Sequence, residues 1–261
     1  MPSVLLIGGR GNIGSGLRTY LPKLDPAYRI ISVDLPGATD KATDKDAQRC
    51  FVDLDISSNP DQLDALMRGK DLVVYLARKS PHEDMNQMTD LVYQTVLAQD
   101  PVPMVVGSSS IHATDGAFSV HEGLLSLLSE RRFGDIKQLP EPILTTIPAC
   151  PTNPYGEEKA HVEAWTQRLA NAGHGAVAAR WGGINAQNVM TTERGYFTLW
   201  CHQEDAARFV HACYTCYQNG TLRSGAHYFV VSDNTYNIFD IEITRREIGY
   251  NPKHNAEVFY T

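Results

Sequence analysis

Val4-Leu5-Leu6-Ile7-Gly8-Gly9-Arg10-Gly11-Asn12-Ile13-Gly14 stands near the start of the chain and decides its fold. Four consecutive apolar residues that end at glycines have the pattern of a short strand buried on both faces, which places it centrally in a parallel sheet. Gly8, Gly11 and Gly14 then separate this strand from a helical pattern running from about Ile13 to Leu24. Glycine at those points permits a tight turn, lets the backbone approach a pyrophosphate, and leaves free N–H groups at a helix start. The expectation is a dinucleotide site contacted by Gly8, Gly11, Asn12, Ile13 and Gly14.

Working outward, strands alternate with helices. Ile30 to Asp34, Cys50 to Asp53, Asp71 to Leu76, Val102 to Gly107 and Val177 to Arg180 read as further strands, with helical patterns near 60–68 and 83–99 and from Tyr155 onward. Alternation of this kind predicts an α/β fold, a Rossmann-type doubly wound parallel sheet. Asp34 ends the second strand about twenty residues past the last loop glycine, where a carboxylate accepts both ribose hydroxyls of an adenosine. That favours NAD over NADP, because a 2′-phosphate would meet the same carboxylate; Arg10 is the one nearby residue that could soften the preference.

Far downstream, Tyr155-Gly156-Glu157-Glu158-Lys159 follows a helix start at Asn153-Pro154. Residues four apart share a helix face, so the Lys159 ammonium is expected beside the Tyr155 phenol, favouring the phenolate and making it a base near neutral pH. Ser108-Ser109-Ser110 ends the fifth strand, at the edge where ligands bind in open α/β sheets. Together these residues predict an oxidoreductase in which Tyr155 takes a proton from a carbinol and a serine orients the oxygen. No metal is required for that chemistry.

The chain has 261 residues, of which 43% are hydrophobic, enough to bury a full core in one large domain. A net charge of −7 argues against a nucleic-acid surface, which needs clustered Lys and Arg. No apolar run is long enough to span a bilayer, and Met1-Pro2-Ser3 leads directly into a strand, so the expectation is a cytoplasmic protein with a small-molecule substrate. Cys50, Cys150, Cys201, Cys213 and Cys216 are an odd, scattered set and read as reduced thiols, with Cys213 and Cys216 packing on a helical face.

The stretch between Ser110 and Tyr155 contains a helical pattern, Glu122 to Arg132, and a proline-rich run; it reads equally as a lid or as a tolerated surface insertion. From Gly182 onward there is one amphipathic helix at about 203–218, one strand at Tyr228 to Val231 and one helix at about 238–248. We expect a single domain over 1–261, with 1–181 mainly the dinucleotide-binding core and 182–261 a small carboxy-terminal substrate lobe.

The G-x-x-G-x-x-G spacing together with Tyr155 and Lys159 resembles the extended and atypical short-chain dehydrogenase/reductases. Val230 to Asn234, Ile248 to Lys253, Asn255 to Phe259 and Trp200 to Asp205 are similar to segments of the uronate dehydrogenases. The resemblance implies oxidation of a uronic acid at its anomeric carbon to an aldaro-lactone. It aligns Ser110 with the catalytic serine, with Ser109 the near alternative, has Lys159 hold the cofactor ribose, and makes Asp53-Leu54 an adenine-binding pair and Ala77 the small residue beside the cofactor. It places Ser80 and Arg194 on the sugar, Arg194 as the carboxylate partner after a one-residue shift, and implies a homodimer or homotetramer. Gly183 stands where the family has a serine, and Ile111 where it has an asparagine. Two alternatives share the fold: a nucleotide-sugar epimerase that retains NAD, and a non-catalytic NAD-sensing protein.

Overall fold

The computed structural model describes residues 1–191 and 196–259. The chain runs β1 (Ser3–Ile7), α1 (Asn12–Leu24), β2 (Arg29–Asp34), β3 (Phe51–Asp53), α2 (Pro60–Met67), β4 (Leu72–Tyr75), α3 (His82–Leu97), β5 (Met104–Ser110), α4 (Glu122–Ser129), α5 (Pro154–Asn171), β6 (Ala176–Trp181), α6 (Tyr196–Leu199), α7 (Gln203–Gln218), β7 (His227–Val230) and α8 (Glu242–Ile248). The strands form one seven-stranded sheet in the order β3-β2-β1-β4-β5-β6-β7, every pair parallel. β1 is central, as its unbroken apolar run requires.

Side chains on a strand alternate between faces, and here each face has its own helices. Val4, Leu6, Leu72, Val74 and Val106 pack with Leu17 and Leu21 of α1 and with Phe209, Val210 and Cys213 of α7. Leu5, Ile7, Val73 and Val105 pack on the other side with Met67 of α2, Val92 and Val96 of α3, and Val162 and Leu169 of α5. All five cysteines are free thiols, and Cys213 is buried in the first of these cores. No helix of the described residues is long and apolar enough to cross a membrane.

Two boundaries differ from the pattern expected from sequence. β5 starts only at Met104, after Pro101 and Pro103, and runs on through the three serines because Ser108, Ser109 and Ser110 pair with Ala179, Arg180 and Trp181 of β6. The last helix begins at Glu242, not near 238, because the Asp240 carboxylate accepts the N–H groups of Glu242 and Ile243 and so caps it there. The segment after Gly182 divides its residues between two tasks: β7 extends the main sheet and α7 covers it, while Ile238, Phe239 and Ile241 join a separate cluster.

That cluster settles what the stretch between Ser110 and Tyr155 does. Ile111, Leu124, Leu128 and Ile143 are buried against Phe229, Val231, Ile238 and Phe239. The Ile143 N–H donates to the Ile238 carbonyl at 2.8 Å and the Asp240 N–H to the Ile143 carbonyl at 2.9 Å. The insertion is thus the other half of a second core shared with the carboxy-terminal segment.

Helix α5 approaches the sheet closely at Gly107. A Cβ there would collide with the Tyr93 hydroxyl and lie 2.9 Å from Val162 Cγ1. Gly107→Ala should therefore lower stability by about 1–3 kcal/mol in urea denaturation, and Tyr93→Phe in the same chain should recover part of that loss by removing the colliding hydroxyl.

Candidate active site

The strand order reverses beside β1, where β2 leads one way and β4 the other, and ligands of open α/β sheets bind at the carboxy ends of strands at such a point. Two adjoining cavities occupy that edge. One is lined by the glycine loop, Ser108 to Ser110, Tyr155 and Trp181; the other by Val33, Asp34, Leu54, Ile56, Ala77 and Arg78, with Gly8 on the boundary of both.

The residues fit a dinucleotide. Gly11 caps α1 and has no side chain to bond the first-turn N–H groups, leaving them for an anion. Gly8 has φ +93°, and a Cβ on it would lie 2.6 Å from the Ala77 backbone nitrogen, so this turn and its contact with the end of β4 both require glycine. Asp34 accepts the Arg10 backbone N–H on Oδ2 at 2.7 Å, which leaves Oδ1 for a ribose. Burial pushes the Asp34 carboxyl above its ordinary value, with the Arg10 N–H pulling it back. The Arg10 guanidinium is committed elsewhere, 2.6 Å from Asp53 and stacked on Phe51. Asp53 therefore faces Arg10 and lies outside the adenosine cavity, whereas its neighbour Leu54 and also Ala77 line it.

At the other end of the cleft, Asn153 starts α5 by accepting the Gly156 N–H at 2.9 Å, while its own amide donates to Asp115 at 2.6 Å. This sets Tyr155 on the first turn, facing the end of β5. Ser110 and Tyr155 line the same cavity, and Ser110 lowers the proton affinity of the phenol. Lys159 is 3% exposed, and its ammonium donates to the Ser108 carbonyl at 3.1 Å. Alternation along β5 turns Ser109 the other way, where its hydroxyl donates to Glu163 at 2.7 Å. That carboxylate is held by Arg180 of β6 through bonds of 2.8 and 2.9 Å, a buried pair that fixes α5, β5 and β6 to one another. Ser110, not Ser109, is the serine of the phenol. Ser80 is exposed and lines neither cavity, and Arg194 lies outside the described residues.

The electrostatics correct one expectation from the sequence. Burial holds the Tyr155 phenol above its ordinary value; Ser110 and the charge of Arg78 lower it, and Glu158 and Asp115 raise it. Arg78 is thus a cation that pulls it down, while the Lys159 ammonium is turned to the Ser108 carbonyl and is itself pushed down to about 8 by burial. Neither Arg78 nor Glu158 was assigned a role in the site from the sequence. Opposite charges immediately after Ala77 and immediately before Lys159 were the available signal, but only the fold brings the two loci together.

The profile of the family described as "NAD dependent epimerase/dehydratase family" matches residues 4–189, a span that includes the glycine loop, the three serines, Tyr155 and Lys159. The chain belongs to this family. No curated protein sequence matches it. Among solved structures it is similar to uronate dehydrogenase from Agrobacterium tumefaciens, with TM-score 0.68 and 19% identity over 99% of this chain and 87% of that one. It is also similar to a dTDP-glucose 4,6-dehydratase from Streptomyces venezuelae, with TM-score 0.66 and 18% identity over 97% and 92% of the two chains. A UDP-glucose 4-epimerase from Brucella ovis gives TM-score 0.65 and 16% identity over 100% and 99%. At these identities the likeness is one of fold.

Away from the cleft, His202, Glu204 and His254 bring three potential metal-ligating atoms within 4.8 Å of one another. The two imidazole rings are stacked with centroids 3.6 Å apart and planes at 14°, so their in-plane lone pairs do not converge on one point. His202 is instead the cap of α7, its Nδ1 accepting the Glu204 N–H at 3.0 Å.

Burial of Lys159 has a pH signature. Its value falls from 10.5 to about 8. Below about pH 8 the folded and unfolded chains both carry the proton, and the cost of burying the charge is present in full. Between 8 and 10.5 only the unfolded chain carries it, so this group's contribution to stability rises with pH. Wild-type stability relative to Lys159→Met, measured by urea denaturation, should climb across that window by about 2–4 kcal/mol.

Proposed function

We propose that the chain is an NAD-dependent oxidoreductase of the short-chain type acting on a sugar carbinol, with a uronic acid oxidised at its anomeric carbon as the substrate class. The observation that carries the reading is that Ser110 and Tyr155 together line a cleft shared with the uncapped start of α1. A hydroxyl pair so placed is suited to grip one substrate oxygen, Ser110 as donor and Tyr155 as the group that removes the proton. Bound in the cleft, NAD supplies the hydride acceptor.

The remaining residues have roles that follow from their positions. The first-turn N–H groups of α1 hold the pyrophosphate, and Asp34 takes the adenosine ribose, which favours NAD since Arg10 is already paired with Asp53. Lys159 holds the second ribose. Trp181 and Gly182, at the end of β6, close the cleft on the substrate side. Arg194 is the proposed partner of the substrate carboxylate, which would discriminate against neutral sugars.

Purified protein given NAD and a panel of uronic acids, neutral aldoses and secondary alcohols should form NADH selectively with uronic acids. Tyr155→Phe should reduce turnover by about 10²–10⁴-fold. A Tyr155→Phe variant that keeps most of its turnover would overturn the assignment. Tight NAD retention with no net reduction on any alcohol would move the reading to epimerisation.

A further inference from the structure

We propose that Arg78, locked onto the buried carboxylate of Glu158, is a positioning residue that sets the proton affinity of the Tyr155 phenol. The inference deepens the reading of Tyr155 as the proton-transferring group and rests on it.

The geometry is that of a fixed fork. Arg78 Nε and Nη2 donate to the two oxygens of Glu158 at 3.0 and 3.3 Å, and Glu158 is only 2% exposed. Both oxygens are engaged, so the guanidinium plane cannot turn without breaking a charge-assisted bond. Held this way, its central carbon lies 4.9 Å from the centre of the Tyr155 ring. Nη1 is left without a protein partner among the described residues, and Arg78 forms part of the wall of the cofactor cleft.

The other groups around Tyr155 do not supply a constant positive charge. On α5, the Lys159 nitrogen is 5.3 Å from the ring centre and bonded to the Ser108 carbonyl, and this ammonium titrates near the pH at which a tyrosine base must work. From the segment after β5, the His112 ring meets Tyr155 edge-on at 5.5 Å, with its Nδ1 2.9 Å from Asp115, so an anion accompanies that imidazole. From α3, His82 lies 3.9 Å from both Glu157 and Glu158. A guanidinium keeps its charge throughout the working range, which the Lys159 ammonium does not.

Arg78 and Glu158 act on the phenol with opposite signs, and this separates an electrostatic role from a merely structural one. If the pair only held α5 against the loop after β4, losing either member would have the same kind of effect. If it sets the phenol, removing the cation raises the Tyr155 midpoint and removing the anion lowers it.

The test replaces Tyr155 with a fluorotyrosine in the full-length chain and follows its ionisation by fluorine NMR, in the otherwise wild-type protein and in Arg78→Met, Arg78→Lys, Glu158→Gln and the Arg78→Met/Glu158→Gln double variant. We expect Arg78→Met to raise the midpoint by about half a pH unit or more and Glu158→Gln to lower it by a similar amount. Arg78→Lys should lie nearer wild type than Arg78→Met, and the double variant should return toward wild type. Shifts in the same direction for Arg78→Met and Glu158→Gln, or no shift in either, would overturn the proposal. Should Arg78→Met not fold, Arg78→Lys and Glu158→Gln still give the two signs. The titration needs no substrate, so failure of every alcohol to react would remove the proposed reaction and still leave the role of Arg78 decided, whereas turnover with unmoved midpoints would remove this proposal alone.

Discussion

The close seat of α5 on the end of β5 is the constraint on which the rest of the site depends. Gly107 lets the helix approach, the Lys159 ammonium bonds to the Ser108 carbonyl, and the Glu163–Arg180 pair holds Ser109 from the other side of the strand. Each of these contacts buries a polar or charged group and is costly unless satisfied; an unpaired buried charge costs several kcal/mol. They are satisfied together in one arrangement, and that arrangement leaves Ser110 and Tyr155 facing each other across the cleft.

The same seat explains why the three consecutive serines have three different fates. Strand alternation sends the Ser109 side chain to Glu163, the Ser108 carbonyl serves Lys159, and the Ser110 hydroxyl is left for Tyr155 while also accepting the His112 N–H at 3.2 Å. The cofactor wall is built by the same economy of backbone. Glycine at position 8 brings the loop onto the end of β4, and the residue that follows Ala77 there is Arg78, whose fork reaches across to α5. The loop after β4 and the helix that carries the phenol are thereby joined by one ion pair.

Much of this was legible in the sequence because it is encoded locally. An apolar tetrad ending in glycines fixes the central strand, Asn153-Pro154 fixes the start of α5, and a four-residue spacing puts Tyr155 and Lys159 on one face. The sequence could not say which way a strand of three identical residues would turn, since that depends on register with β6. Nor could it show that residues 111–143 and 229–241 share a buried core, because contacts across some hundred positions leave no periodic trace. The Arg78 contact stayed hidden for a related reason. Lys159 is the neighbour by helical spacing and lies 5.3 Å from the ring centre with its ammonium on a carbonyl of β5, while a second cation, Arg78, reaches the ring from the loop after β4.

The proposed reaction stands or falls on transfer of hydride from a sugar carbinol to NAD with release of the reduced cofactor. The most direct measurement supplies a uronic acid deuterated at its anomeric carbon and follows the label by mass spectrometry of cofactor and sugar. The account predicts one deuterium in the NADH released for each sugar oxidised. Deuterium that stays on the sugar or returns to it, with no labelled NADH in solution, would contradict it.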